Sequence, residues 1–173
     1  MKPYFDTVIL GLGLFFIGFG CFLVWERESP RQLVFAAPSD SEVVTPIRLS
    51  IDSIGLNLPI ISAPIQDGTW AITKEGVSHL ATSPLPGKIG NSVMYGHNWA
   101  GLLAGLDRVQ TGDTISVELS DGSVANYRIH FISVVTPDES HIYGNTPDHR
   151  LTLYTCTGFL DSKRLVVTAI LEP

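Results

Sequence analysis

Three side-chain types in this sequence could together carry out nucleophilic chemistry at a carbonyl carbon: a thiol, an imidazole and a guanidinium. The chain has only two cysteines, and one of them, Cys156, closes the strand-like segment RLTLYTC. A thiolate attacks carbonyl carbon, and such a nucleophile needs a base or an imidazolium beside it. Strand alternation puts Leu151, Leu153 and Thr155 on one face and Thr152, Tyr154 and Cys156 on the other. The leucine face is the expected core, so Cys156 is not placed as a buried structural cysteine. The next apolar segment, RLVVTAIL, opens with Arg164. If the two segments form an antiparallel hairpin, residues 157–163 are its loop and Cys156 opposes Arg164, with Cβ atoms about 4.5–5.5 Å apart. A guanidinium there favours the thiolate and can donate two hydrogen bonds to a developing oxyanion. A solvated strand-end charge is the other reading that this position allows.

There are five histidines to partner the thiol. His97 ends a strand-like run at YGHN, directly after a glycine that permits close backbone approach, and is the best placed. His79 falls in a Gly/Pro-rich stretch, where a solvated or turn-capping role is expected. His130 shares the outer face of a strand with Arg128, and His141 and His149 sit in or beside a long loop, where solvent exposure is expected.

The elements that must position these groups are mostly strands. Ile47, Leu49 and Ile51 alternate with polar residues, and a second strand is expected around 56–61. The stretch from Trp70 to Asn91 reads as loop with a short helical turn, and SVMYGHNWAG as a strand that stops at its glycine. LLAGLDRV suggests a short helix. Ile115, Val117 and Leu119 alternate, Asp121-Gly122 signals a hairpin, and VANYRIHFISVV returns as a long strand. The loop 136–149 is long enough to suggest function rather than mere connection. Strands separated by frequent turns indicate a closed or nearly closed β-barrel.

At 173 residues, with 45% apolar and 16% charged residues and a net charge of −6, the chain fits one domain plus an appendage. The acidic balance argues against a nucleic-acid binder. Two cysteines in such different contexts exclude a disulfide scaffold and a multi-cysteine zinc site. Val8 to Trp25 carries no charge and approaches the roughly 20 residues that span hydrocarbon, so a transmembrane helix is expected, with Cys21 inside it. A cleaved secretory signal is the rival reading, although its apolar region is usually only about 7–15 residues long. The organisation expected is a tail and anchor over 1–25, a linker over 26–44 and a globular domain over 45–173. Lys2 on one side and Arg27 and Arg31 on the other leave orientation undecided by charge.

TLYTC at 152–156 fits the T-L-x-T-C signature of sortases. The arginine opening RLVVTA and the Gly-His closing YGHN complete that family's pattern. TPIRLSIDSIGLNLPI and PLPGKIGNSVMYGH also resemble sortase segments, so the likeness runs over about 45–173 in the correct order. The resemblance implies an eight-stranded barrel with Cys156 as nucleophile, His97 as acid/base partner and Arg164 as transition-state stabiliser. It places Thr155 near substrate and oxyanion, the N-terminus in the cytoplasm and the catalytic domain outside the cell. It further implies an LPxTG-like sorting motif as substrate and an envelope amine as acceptor. No second apolar span follows Leu171 and the linker has no Asp-Pro lid motif, so anchoring of surface proteins is expected rather than pilin polymerisation.

Ile142 and Tyr143, in the long loop, are the residues expected to contact the motif's first positions. Asp138, Glu139 and Asp148 lie in that loop, but only Glu75 precedes His97 in the strand region, so no calcium or other metal, and no cofactor, is expected. Two other classes compete. A papain-like protease requires a Cys-Trp helix context that the strand pattern around Cys156 does not provide. A membrane-tethered β-domain that binds a surface ligand would leave Cys156 without chemistry.

Overall fold

The computed structural model describes residues 12–13, 15–22, 44–66 and 69–173, which divide into an N-terminal unit and a C-terminal one with its boundary after Val34. In the N-terminal unit the described residues are helical, with Phe15, Phe16 and Ile17 exposed. Among the described residues no helix is long and apolar enough to cross a membrane. Residues 8–11, 14 and 23–25 of the expected span, and the expected linker up to Val43, lie outside the described residues.

The described residues of the C-terminal unit form ten strands. Eight close into a barrel in the order β1 (Pro46–Ile51), β2 (Leu56–Ala63), β5 (Val77–Leu80), β6 (Gly90–Gly96), β9 (His149–Thr157), β10 (Lys163–Leu171), β8 (Val124–Val135) and β7 (Thr114–Leu119), with β7 returning to β1. The other two, β3 (Ile65–Gln66) and β4 (Thr69–Trp70), form a small hairpin of their own. Closure removes the sheet edges on which another chain could pair. The pairs β2–β5 and β6–β9 are parallel and the other barrel pairs antiparallel. The expected eight-stranded closed barrel with short helices is therefore what forms.

The barrel interior is filled by the apolar half of each alternation, among them Leu49, Ile51, Val117, Ile129, Leu151 and Leu153, each at most 1% exposed. A 3₁₀ turn at Leu103–Arg108 stands where the short helix was expected, with Leu103 and Leu106 buried. One stretch differs from expectation. The segment 77–80, read as loop, is the barrel strand β5, and all four of its residues are buried. Gly76 lets it pack: a Cβ there would meet the Pro59 carbonyl oxygen at 2.1 Å. Correspondingly His79 is only 2% exposed, not a solvated loop residue, and its Nε2 lies 3.3 Å from both the Pro84 carbonyl and Ser83 Oγ. Burial holds its pKa below the ordinary imidazole value, partly offset by the contact with the Pro84 carbonyl.

A candidate thiol–imidazole–guanidinium site at the barrel rim

Three adjacent strands bring the chemical groups to one end of the barrel. On β9 and β10 the antiparallel register pairs Arg164 directly with Cys156. Pairing continues one residue further, to Lys163 and Thr157, so the loop is 158–162 and shorter than expected. On the other side of β9 the parallel register with β6 ends at Gly96 and Thr155. His97 and Cys156 are the residues that follow this last pair. Directly opposed residues share a sheet face, so Cys156 and Arg164 share the outer face at this rim, and His97 leaves the end of the neighbouring β6. All three are half-buried.

His97 is held through its neighbours. The carbonyl of Gly96, just before it, accepts a hydrogen bond from Thr155 Oγ1 at 2.8 Å. Its own carbonyl accepts from the Leu103 N–H at 3.1 Å, the start of the 3₁₀ turn. A Cβ on Gly96 would come within 3.2 Å of the Leu103 side chain, so the glycine is what allows this turn to close on the strand. The imidazole stacks on Trp99, with ring centroids 4.1 Å apart and planes within 6°. Trp99 in turn lies 5.4 Å from Lys74 Nζ, and its carbonyl accepts from Leu102 and Ala104.

Arg164 is fixed from the loop side. Its NH1 group donates to the carbonyls of Asp161 at 2.8 Å and Lys163 at 2.9 Å. The Asp161 carbonyl is presented by a backbone in which Leu160 and Asp161, neither of them glycine, both take positive φ (52° and 57°). Two such residues in succession store strain that the surrounding contacts must hold, a feature that clusters at functional sites. Phe159 and Leu160 at the tip of this loop are 85% and 83% exposed.

The outer face of β9 continues into an aromatic cluster. Tyr154, two residues before Cys156, stacks on Tyr95 with centroids 5.7 Å apart and meets Tyr143 at 5.3 Å. Tyr95 Oη donates to the Ala71 carbonyl at 2.6 Å. Burial pushes the hydroxyls of Tyr95, Tyr143 and Tyr154 above the ordinary phenol value, so they are neutral at physiological pH. Cys156 and Arg164 also act on Tyr143 and Tyr154, the thiol raising and the guanidinium lowering their values. Tyr143 therefore neighbours the thiol site. Ile142, beside it in the 3₁₀ turn Ser140–Tyr143, is partly buried.

Thr155 lies on the core face with Leu151 and Leu153, is 2% exposed, and donates its hydroxyl to the Gly96 carbonyl. Sequence reasoning missed Trp99, which stands two residues beyond His97, and Asn91, the second residue of β6. Among the described residues no cluster of three or more His, Cys, Asp or Glu could hold a metal ion. A cavity of about 770 Å³ lies at the far end of β10, around Leu171, Gly87 and Lys88, and includes none of these groups.

A closed eight-stranded barrel with a cysteine and an arginine opposed on its last two strands, and a histidine at the end of the strand on the cysteine's other side, defines a class of cysteine-centred β-barrel. The Sortase domain family profile matches residues 49–172, and the chain belongs to the sortase family. It is similar to sortase A of Bacillus anthracis, 28% identical over 124 residues, which cover 69% of this chain but 56% of that protein. The chain thus spans little more than half the length of this relative. Among solved structures, the lid mutant of Corynebacterium diphtheriae sortase A is 30% identical with a TM-score of 0.66, covering 79% of this chain and 74% of that one. Sortase C-1 of Actinomyces oris is 33% identical with a TM-score of 0.63, covering 73% and 71%. Sortase C1 of Streptococcus agalactiae, in a complex with MTSET, is 27% identical with a TM-score of 0.65, covering 75% and 70%. The similar structures thus carry both the sortase A and the sortase C names.

Proposed function

We propose that this protein is a cysteine transpeptidase that cleaves an LPxTG-like sorting motif and joins the acyl part to an amine of the cell envelope. The observation that carries this reading is the pairing of Cys156 with Arg164 on β9 and β10, with His97 directly after the end of β6 on the other side of β9. The Cys156 thiolate attacks the carbonyl carbon of the motif's threonine. The oxyanion that forms is stabilised by the Arg164 guanidinium, which the Asp161 and Lys163 carbonyls hold at the rim. Cationic His97 protonates the departing amine as the C–N bond breaks, leaving a thioester on Cys156. An incoming amine gives its proton to His97, attacks the thioester and releases the thiolate. Water in its place gives hydrolysis.

Anchoring of surface proteins is the use this reading favours over pilin polymerisation, from the lack of an Asp-Pro motif in 26–44. The uncharged run from Val8 to Trp25 acts as the tether, with the N-terminus in the cytoplasm and the barrel outside. Its described part is helical and apolar, which supports that role. No metal or cofactor takes part. The test is cleavage of a library of LPxTG-like peptides with and without a panel of amines. Cleavage accelerated by amines, with formation of the new amide, is expected. A panel in which no peptide is cleaved would favour the ligand-binding β-domain instead.

A further inference from the structure

Asn91 is almost fully buried at 2% exposure, outside the barrel core and away from the reacting groups. Its Nδ2 donates to the carbonyls of Ile142 at 2.9 Å and Gly144 at 3.2 Å. Its Oδ1 accepts from Thr152 Oγ1 at 2.7 Å, and Thr152 is itself 1% exposed. These partners fix the orientation of the amide, since the reverse would set its oxygen against two carbonyls. The two carbonyls flank Tyr143, whose ring packs on Tyr154, two residues before Cys156. The far end of the same loop is tied separately, by the Gly90 N–H to the Asp148 carbonyl at 2.7 Å and by His149 Nδ1 with the Gly87 carbonyl at 3.0 Å. A cavity of about 470 Å³ opens beside the clamp, lined among others by Leu80, Ser83, Pro84, Asn91, Tyr143 and Asn145. Its width on one side is set by where Tyr143 stands.

We propose that Asn91, oriented by Thr152, is a positioning residue for peptide selectivity: it grips the backbone on both sides of Tyr143 and thereby fixes the Tyr143 wall of this cavity. This rests on the transpeptidase reading for its functional consequence, but the clamp itself is a property of the free protein. A hydroxyl, one side-chain amide and two loop carbonyls form a closed set, so loss of one member is felt by the rest.

Two variants of the full chain test it. Asn91→Ala removes both donors, and Thr152→Val keeps them while removing the group that aims them. Hydrogen–deuterium exchange over 136–149 reads the clamp without substrate. Loss of two buried hydrogen bonds should speed exchange around Ile142–Gly144 about tenfold or more in Asn91→Ala, and by less in Thr152→Val. Unchanged exchange in a folded variant overturns the proposal whether or not the wild type cleaves any peptide. With substrates varied at the motif's first two positions, Asn91→Ala should raise KM about tenfold and flatten the preference among them, while kcat and the alkylation rate of Cys156 stay within about twofold. A fall in kcat with preference intact would assign Asn91 a general structural role and refute the selectivity role. If Asn91→Ala does not fold, the same two outcomes in Thr152→Val decide.

Discussion

Replacing Thr155 with Val tests how the site is held, because it removes one hydroxyl and leaves shape and volume nearly unchanged. The Thr155 hydroxyl donates to the Gly96 carbonyl at 2.8 Å from a position 2% exposed. Valine there removes a hydrogen bond worth about 0.5–1.5 kcal/mol net and leaves that carbonyl short of a partner, which costs about 1–3 kcal/mol in buried settings. The expected loss of stability is about 1–3 kcal/mol, or roughly 4–12 °C in Tm for a domain of this size. The functional effect is separate. That carbonyl belongs to the peptide unit leading into His97, so freeing it loosens the imidazole relative to Cys156. A misplacement of about 1 Å can cost on the order of 100-fold in rate, so kcat should fall about 10- to 100-fold with KM within about twofold. Thr155→Ser keeps the hydroxyl and should recover most of both. Thermal unfolding and steady-state peptide cleavage measure the two effects. A rise in KM at constant kcat would mean that the hydroxyl contacts the peptide, and the strut argument would be wrong.

Other perturbations address separate groups. Arg164→Lys keeps the charge but loses the planar fork, and loss of an oxyanion donor typically costs about 10²–10³ in rate; a kcat equal to wild type would reduce Arg164 to charge steering. His79, buried and with its pKa held below the ordinary value, binds its proton more readily in the unfolded chain. Stability should therefore fall as pH drops through about 6.5, with a slope from this group of at most about 1.4 kcal/mol per pH unit. Denaturant unfolding at pH 7.5 and 5.5 should show a smaller difference in His79→Gln, and an identical difference would remove His79 as the cause. Replacing Ile142 and Tyr143 together with Ala should raise KM or shift preference at the motif's first positions without changing Cys156 alkylation, and unaltered selectivity would place recognition elsewhere.

How legible the site was depended on how local its causes are. Period-2 alternation in 151–156 and a short hairpin loop were enough to set Cys156 against Arg164, because both depend on one local pairing. The barrel followed from strand count and turn spacing. What stayed hidden was non-local. The segment 77–80 has no alternation, since all four residues are buried, so it lacked the signal by which half-buried strands are recognised. Its identity comes from parallel pairing with β2, to which it is joined through β3 and β4. The face of Thr155 was legible from alternation, but the partner of its hydroxyl was not, because that partner is a carbonyl on β6 that only the parallel register supplies. Asn91 and Trp99 carry no distinctive local pattern, and their roles appear only when the loop 136–149 and the ring of His97 are brought to them.

A Cys156 nucleophile must pass through a thioester with the cleaved sorting peptide. The most direct measurement is mass spectrometry of the protein mixed with an LPxTG-like peptide and no amine, quenched in acid and digested. An added mass equal to the acyl fragment should be found on the peptide that contains Cys156. That mass should disappear on addition of hydroxylamine and should never appear in a folded Cys156→Ala variant, which should also cleave nothing. Cleavage that continues in Cys156→Ala, or an acyl fragment carried on any other residue, would contradict the account.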